Sequence, residues 1–388
     1  MSVYGAWSTR YLGSSRAEQF SAAALVDRPR WAARAKSAPP GDANTGLPPL
    51  ARRGTENYRR RYSETIDTST ARLTMYQAKW LQVVVCTVAL LVAACSSHPA
   101  PPASSSPAPL ADSTRSNALS AMHGEALAHA KYLAYATQAQ QAGRAQAAQD
   151  FTNAAQTEHM DHFAREADLV GLGSDIAANL RDAINGETSE TNSMYPGFAK
   201  QATADNDPAA ASAFSEIGAD EATHLKDFQA ALNAVSNPGG GASVPAGATP
   251  APATITAGPA RSSGATLANL RTAMQGEAFA YAKYMRYADQ ARRDGNSAVA
   301  QLFTNAANFE LNEHFAMLAT LAGLVATDTN ANLQDAINGE QHEADVMYPD
   351  YARQANQAGN PQAANLFREI AGDEKIHQQT FQKALTAS

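Results

Sequence analysis

The chain has 388 residues, a formal net charge of −7, 17% charged side chains and 7% aromatic ones. That length suits two or three domains, and the acidic balance excludes nucleic acid as the main partner, which calls for a basic surface. Two cysteines, Cys86 and Cys95, cannot build a four-cysteine metal site and allow at most one disulfide.

The average charge hides a split. Residues 1–74 carry a net +6, residues 75–94 a net +1 and residues 95–388 a net −14. The first stretch is Arg-rich, contains Ala38-Pro39-Pro40 and Leu47-Pro48-Pro49, and shows no sustained apolar period. It reads as a disordered extension, or as untranslated sequence ahead of a start at Met75. From Met75 a single lysine precedes an apolar run, Leu81 to Ala94, that is too short to span a bilayer comfortably and fits a signal-peptide core. Its end, Val92-Ala93-Ala94-Cys95, resembles the lipobox of bacterial lipoproteins. That resemblance implies export to the cell envelope, periplasmic or surface, with Cys95 lipidated and membrane contact through the lipid alone. An ordinary signal peptide or a weak membrane anchor is the alternative. Residues 95–111, rich in Pro, Ala and Ser, read as a tether.

The rest is written twice. MHGEALAHAKYLAYATQA at 122–139 returns as MQGEAFAYAKYMRYADQA at 274–291, and NLRDAINGE at 179–187 as NLQDAINGE at 332–340. Two units follow, 112–235 and 264–388, joined by a Pro/Gly/Ala-rich segment, 236–263, that is a flexible linker by composition. Within each unit Ala, Leu, Gln and Glu predominate and apolar residues recur at spacings of three and four, which predicts four helices per unit and an all-α protein of two bundles. Asp207-Pro208 and Asn360-Pro361 each place a capping residue before a first-turn proline.

Each predicted helix carries acids inside its apolar pattern, in both units. The first has Glu125 or Glu277. The second has Glu158 or Glu310, with an acid at +3 (Asp161, Glu313) and a histidine at +4 (His162, His314). The third has Glu187 and Glu190, or Glu340 and Glu343, and the fourth Glu221 and His224, or Glu374 and His377. Residues three or four apart share a helix face. Buried carboxylates converging from four helices are prohibitively costly alone, and a pair of cations removes that cost. Carboxylate with imidazole suits iron or manganese. His123, His129, His159 and His342 have no counterpart in the other unit and are left out of the set.

These blocks resemble rubrerythrin, a di-iron member of the ferritin-like superfamily, over most of residues 112–388 in tandem. The resemblance implies two ferritin-like four-helix bundles, each holding two irons. It makes Glu125 and Glu277 first-helix ligands, Glu158 and Glu310 bridging ligands, and the third- and fourth-helix residues the remaining ligands. Tyr132, Tyr195, Tyr284 and Tyr348 look like the family's tyrosines that hydrogen-bond ligand carboxylates at the catalytic centre. The implied activity is reduction of hydrogen peroxide or oxidation of ferrous iron. The alternative is a metal-binding lipoprotein without turnover. Two departures stand out. The family's second-helix histidine at +3 is replaced by Asp161 or Glu313, leaving the imidazole at +4, rotated by about 100° on an α-helix. No cysteine follows Cys95, so there is no rubredoxin domain and electrons need an external donor.

The connection between second and third helices is too short to return comfortably along a bundle. Helices one and two of each unit are therefore expected to pair with helices three and four of the other, with simple up-down bundles as the alternative.

Overall fold

The computed structural model describes residues 109–250 and 253–387, and every element among them is helical. Residues 1–108, with the signal segment, Cys95 and most of the tether, lie outside the described residues. The first unit forms α1 (Asp112–Gln141), α2 (Ala145–Thr157), α3 (Ala164–Val170), α4 (Ile176–Ser189), α5 (Tyr195–Ala204) and α6 (Pro208–Ser236). The second forms α7 (Gly264–Arg293), α8 (Ser297–Phe309), α9 (Ala316–Ala322), α10 (Thr329–His342), α11 (Tyr348–Gln357) and α12 (Pro361–Thr386). One turn of π-helix joins α2 to α3, α4 to α5, α8 to α9 and α10 to α11, so each unit presents four rods.

The helix ends follow local chemistry. Asp175, Asp207 and Asn296 accept hydrogen bonds from the backbone three residues on, which satisfies a first-turn N–H at α4, α6 and α8. Asn360 departs from its expected capping role. Its side chain accepts from Ala111 N at 3.0 Å and donates to Pro109 O, tying the start of the first unit to the second.

The pairing of rods is crossed between units. Tyr135 of α1 donates to Asp335 of α10, and Tyr287 of α7 to Asp182 of α4, both at 2.8 Å. Phe151 of α2 packs on Phe381 of α12, and Phe303 of α8 on Phe228 of α6. The connections explain the crossing. Five residues separate α3 from α4, and six separate α9 from α10. Six residues reach at most about 20 Å, short of the length of a bundle, so each chain continues into the other bundle. α1 and α7 pack against each other at the centre, where His129 and Tyr281, equivalent positions in the two repeats, stack with their rings 4° from parallel. His123 likewise stacks on Phe279. Burial holds the His123 imidazole down to about 4 and that of His159 to about 3, so both pack as neutral rings.

The segment expected to be a flexible linker is a docked strap over residues 253–263. Ala253 N, Gly258 N and Arg261 N donate to Asn312 O, Val325 O and Leu321 O, and Ser262 donates to Asp207 at 2.6 Å. Composition misleads here because backbone groups, not side chains, anchor the segment. Gly323, at φ +62° where α9 ends, lies directly beneath it: a Cβ there would collide with the backbone at Pro259 and Ala260. In the first unit the space over the equivalent Gly171 is open, and Arg286 of α7 lies instead against Gly173, donating to Leu172 O and Asp168.

Candidate metal centres

The crossed rods bring two sets of ionisable side chains together, one in each bundle. In the first, Glu125 of α1, Glu158 and His162 of the π-turn, and Glu374 of α12 place one ligand atom each within 4.8 Å of one another. Glu158 and Glu374 belong equally to a second group with Glu340 of α10 and His377. The other bundle repeats this. Glu277, Glu310, His314 and Glu221 form one group, and Glu310 and Glu221 form another with Glu187 and His224. Each bundle thus offers two ion positions sharing two carboxylates.

The distances suit cations. His162 Nδ1 lies 2.9 Å from Glu158 Oε2, 2.9 Å from Glu374 Oε1 and 3.6 Å from Glu125 Oε2. His377 Nδ1 lies 3.1 Å from Glu158 Oε1, 3.0 Å from Glu374 Oε2 and 3.7 Å from Glu340 Oε2. His314 Nδ1 stands 2.8 Å from Glu310, 3.0 Å from Glu221 and 3.8 Å from Glu277. Atoms bound at about 2.0–2.2 Å to one ion stand roughly 3 Å apart. Many of these atoms are buried with no hydrogen-bond partner: Glu125 Oε2, both Glu158 oxygens, both His162 nitrogens, Glu340 Oε2 and Glu374 Oε1, with equivalents in the other bundle. Orphaned buried acceptors cost several kcal/mol each, of order 2–7. The donor set fits a pair of iron ions, since carboxylate and imidazole match that metal and a ferritin-like bundle presents the same constellation.

Their electrostatics record the strain of assembling such a set. Burial, opposed by the nearby His162 imidazole, pushes the Glu125 carboxyl up to about 7, and Glu277, beside His314, rises to about 7 in the same way. Burial and the facing carboxylates hold Glu374 and Glu187 well above the usual range. For Glu158 and Glu221 burial acts upward, but the adjacent imidazoles overcome it and hold both below the normal value. His224 is desolvated, yet Glu310 and Glu221 raise it to about 10.

The tyrosines orient ligands across the repeat boundary. Tyr132 donates to Glu340 and Tyr284 to Glu187, each at 2.5 Å, while Tyr348 donates to Glu125 and Tyr195 to Glu277. Glu343 and Glu190, half-buried in π-turns, stand outside the four-residue groups. Each still faces its centre: Glu343 Oε1 is 3.6 Å from the space a side chain at Gly124 would fill, and Glu190 Oε1 is 4.0 Å from that at Gly276.

Two expectations are corrected. Asp161 and Glu313 are not in the ligand groups; Asp161 pairs with Arg165 and is 47% exposed, and Glu313 is only partly buried. The cause is the π-turn, which also removes the rotation expected of the +4 histidine. Bonds from i to i+5 widen the turn, so residue +4 rather than +3 returns to the face of Glu158 or Glu310.

Three further groups escaped the sequence reading. His162 Nε2 lies 3.6 Å from Asp373 Oδ2 and His314 Nε2 3.5 Å from Asp220 Oδ2, carboxylates that stand behind the ligating rings. Their signal was present, since an Asp precedes the fourth-helix Glu in both repeats. Glu166, fully buried, has no such signal because Leu318 occupies its place in the second repeat.

The chain matches the rubrerythrin family twice, over residues 117–232 and 268–385. It is 34% identical to nigerythrin of Nitratidesulfovibrio vulgaris over 130 residues, covering 30% of this chain and 64% of the relative. To rubrerythrin of the same organism it is 35% identical over 129 residues, covering 30% and 66%. To rubrerythrin-2 of Clostridium acetobutylicum it is 35% identical over 127 residues, covering 30% and 69%. The match thus spans just under two thirds of the first two relatives. No solved structure gives a significant match. With both repeats matched and a di-iron ligand set in each bundle, the chain belongs to the rubrerythrin family.

Proposed function

We propose that the protein is a di-iron peroxidase of the cell envelope, reducing hydrogen peroxide to water with electrons from an external donor. The observation that carries this reading is the pair of ion positions sharing Glu158 and Glu374, repeated with Glu310 and Glu221. The reaction consumes one peroxide, two protons and two electrons and yields two waters; a pair of ferrous ions, when bound, supplies the two electrons. The chain's own residues do the rest. Tyr132 and Tyr348 hold Glu340 and Glu125 in register, which limits reorganisation of the ligand shell. Burial and the charges of Glu125 and Glu340 hold the Glu343 carboxyl well above the usual range, which suits it to hand a proton into the centre. His377, whose side chain is 13% exposed, marks the open side for a small oxidant. The envelope location rests on the apolar segment ending at Cys95 and on the resemblance of Val92–Cys95 to a lipobox.

Iron sequestration without turnover is the second reading, favoured by the burial of every ligand in these groups except His377, which is only partly exposed. One experiment separates the two. The protein is loaded anaerobically with ferrous iron, the iron is counted, and peroxide is added with a reductant present. Rapid, repeatable oxidation and re-reduction supports the peroxidase; a single slow oxidation supports sequestration.

A further inference from the structure

The two bundles match closely at their ligands and differ at one fully buried position beside them. Glu166 of α3 and Leu318 of α9 are equivalent, and both have zero exposure. Glu166 Oε1 lies 3.1 Å from the Tyr348 hydroxyl, which also hydrogen-bonds Glu125. In the other bundle Tyr195 bonds Glu277, and the place of Glu166 is hydrocarbon.

A phenol has one hydrogen to donate. Tyr348 faces two carboxyl oxygens, so one of the two carboxyls must itself carry a proton. Glu125 is the one aimed at the ion positions, where a ligand must be ionised. Glu166 has no lysine or arginine partner: desolvation and the charges of Glu125 and Glu343 disfavour its ionised form, the His162 imidazole and the Tyr348 hydrogen bond oppose them and are outweighed, and its Oε2 is buried without a partner. An ionised carboxylate there carries a prohibitive desolvation cost. Glu166 is therefore the neutral acid, donating to Tyr348, which donates to Glu125. Burial first, and the charge of Glu125 next, hold its carboxyl well above the usual range, in agreement with that arrangement.

A hydrogen bond whose donor is itself hydrogen-bonded is polarised and stronger. Glu125 thus receives a stronger bond than Glu277, keeps more of its negative charge on oxygen, and donates less to an adjacent ion. Weaker donation favours the less oxidised ion. We propose that the two metal centres are unequal electron reservoirs, and that Glu166 is the positioning residue that raises the reduction potential of the Glu125 centre above that of the Glu277 centre. Reducing equivalents entering the protein then collect first at the Glu125 centre. The inference rests on metal loading and not on peroxide as the substrate.

The test is a reductive titration of the full chain, loaded with iron and followed by the absorption and electron paramagnetic resonance of the iron pairs. The iron count is taken first; a chain that loads no iron overturns the metal reading as well, and the count tells that failure from this one. The expected result for the unaltered protein is two separate steps whose midpoints differ by at least about tenfold in equilibrium ratio, 59 mV for a one-electron step. Glu166→Leu copies the residue the second repeat already accommodates, and should bring the upper step down to meet the lower. Glu166→Gln retains a donor to Tyr348 and should keep the steps apart. A single step in the unaltered protein, or two undisturbed steps in Glu166→Leu, overturns the proposal. So does a Glu166→Gln variant that behaves like Glu166→Leu, since the donated hydrogen bond would then not be the cause.

Discussion

Tyr132 of the first repeat donates its hydroxyl hydrogen to Glu340 of the second, 208 residues further along the chain. Its counterpart Tyr284 reaches back to Glu187. Neither repeat therefore holds a complete centre, and the halves are interlocked. A protease cut in the exposed stretch 238–243 should leave one particle of unchanged native mass, with two fragments appearing only under denaturing conditions. Native mass spectrometry checks this; separation of the halves without denaturant refutes the crossed pairing.

The shared carboxylates make each centre sensitive to a single change. Glu158→Gln should remove both ions of its bundle and halve the iron count from four to two per chain, leaving the Glu310 centre loaded. Asp161→Asn, three residues on, should leave the count at four because its side chain points to Arg165 and solvent. Elemental analysis of the purified variants distinguishes these outcomes.

Asp373 and Asp220 stand behind the His162 and His314 rings, within reach of a hydrogen bond that fixes each ring. Replacement by Ala frees the ring to turn and should weaken iron binding at that centre by about 10- to 100-fold, with the other centre unaffected. A competitive chelator titration reads each centre separately.

Metal-free protein should lose stability as pH rises. Glu125 and Glu277 have folded-state values near 7, above the unfolded carboxylate value. A raised carboxyl binds more proton when folded, so its contribution is complete below about pH 4.5 and is lost as pH rises toward 7, at up to about 1.4 kcal/mol per pH unit for each proton. The raised His224, at about 10, carries the same sign to higher pH. Denaturant midpoints of the metal-free chain should fall between pH 5 and 8, whereas the iron-loaded protein should change little over that range. A midpoint that climbs with pH in the metal-free protein contradicts the assignment.

Gly171 and Gly323 end equivalent helices with similar positive φ, 72° and 62°. Nothing lies within 4 Å of a Cβ at Gly171, so Gly171→Ala should cost about 1–2 kcal/mol of backbone strain. At Gly323 the strap stands in the way, and Gly323→Ala must also break backbone bonds such as Arg261 N to Leu321 O. Its cost should exceed the first by about 1–2 kcal/mol. Urea unfolding of the two variants compares them directly.

The repeat made most of the fold and the centre readable. An acid or histidine that recurs at the same place in both copies stands out from solvated surface, and this singled out Glu125, Glu158, Glu340, Glu374 and His377 with their partners. The same logic was blind to Glu166, whose counterpart is Leu318. It placed Asp161 among the ligands because an α-helical period counts +3 as the facing residue, and no residue type announces a π-turn. The strap was misread for a related reason: Pro, Gly and Ala describe a segment's side chains, whereas backbone hydrogen bonds to residues 312–325 hold it.

Residue order alone settled that the chain makes helices, how many rods each repeat presents, and which side chains are too polar to be buried without a cation. Those are local matters, decided by propensity, period and the cost of desolvation. Which rods share a bundle was settled by three-dimensional reach, since five or six residues cannot return along a bundle's length. The crossing puts Glu158 of one repeat beside Glu340 and Glu374 of the other. The inequality of the two centres belongs to the tertiary structure as well, because Glu166 matters only through the single hydroxyl hydrogen of Tyr348, 182 residues away.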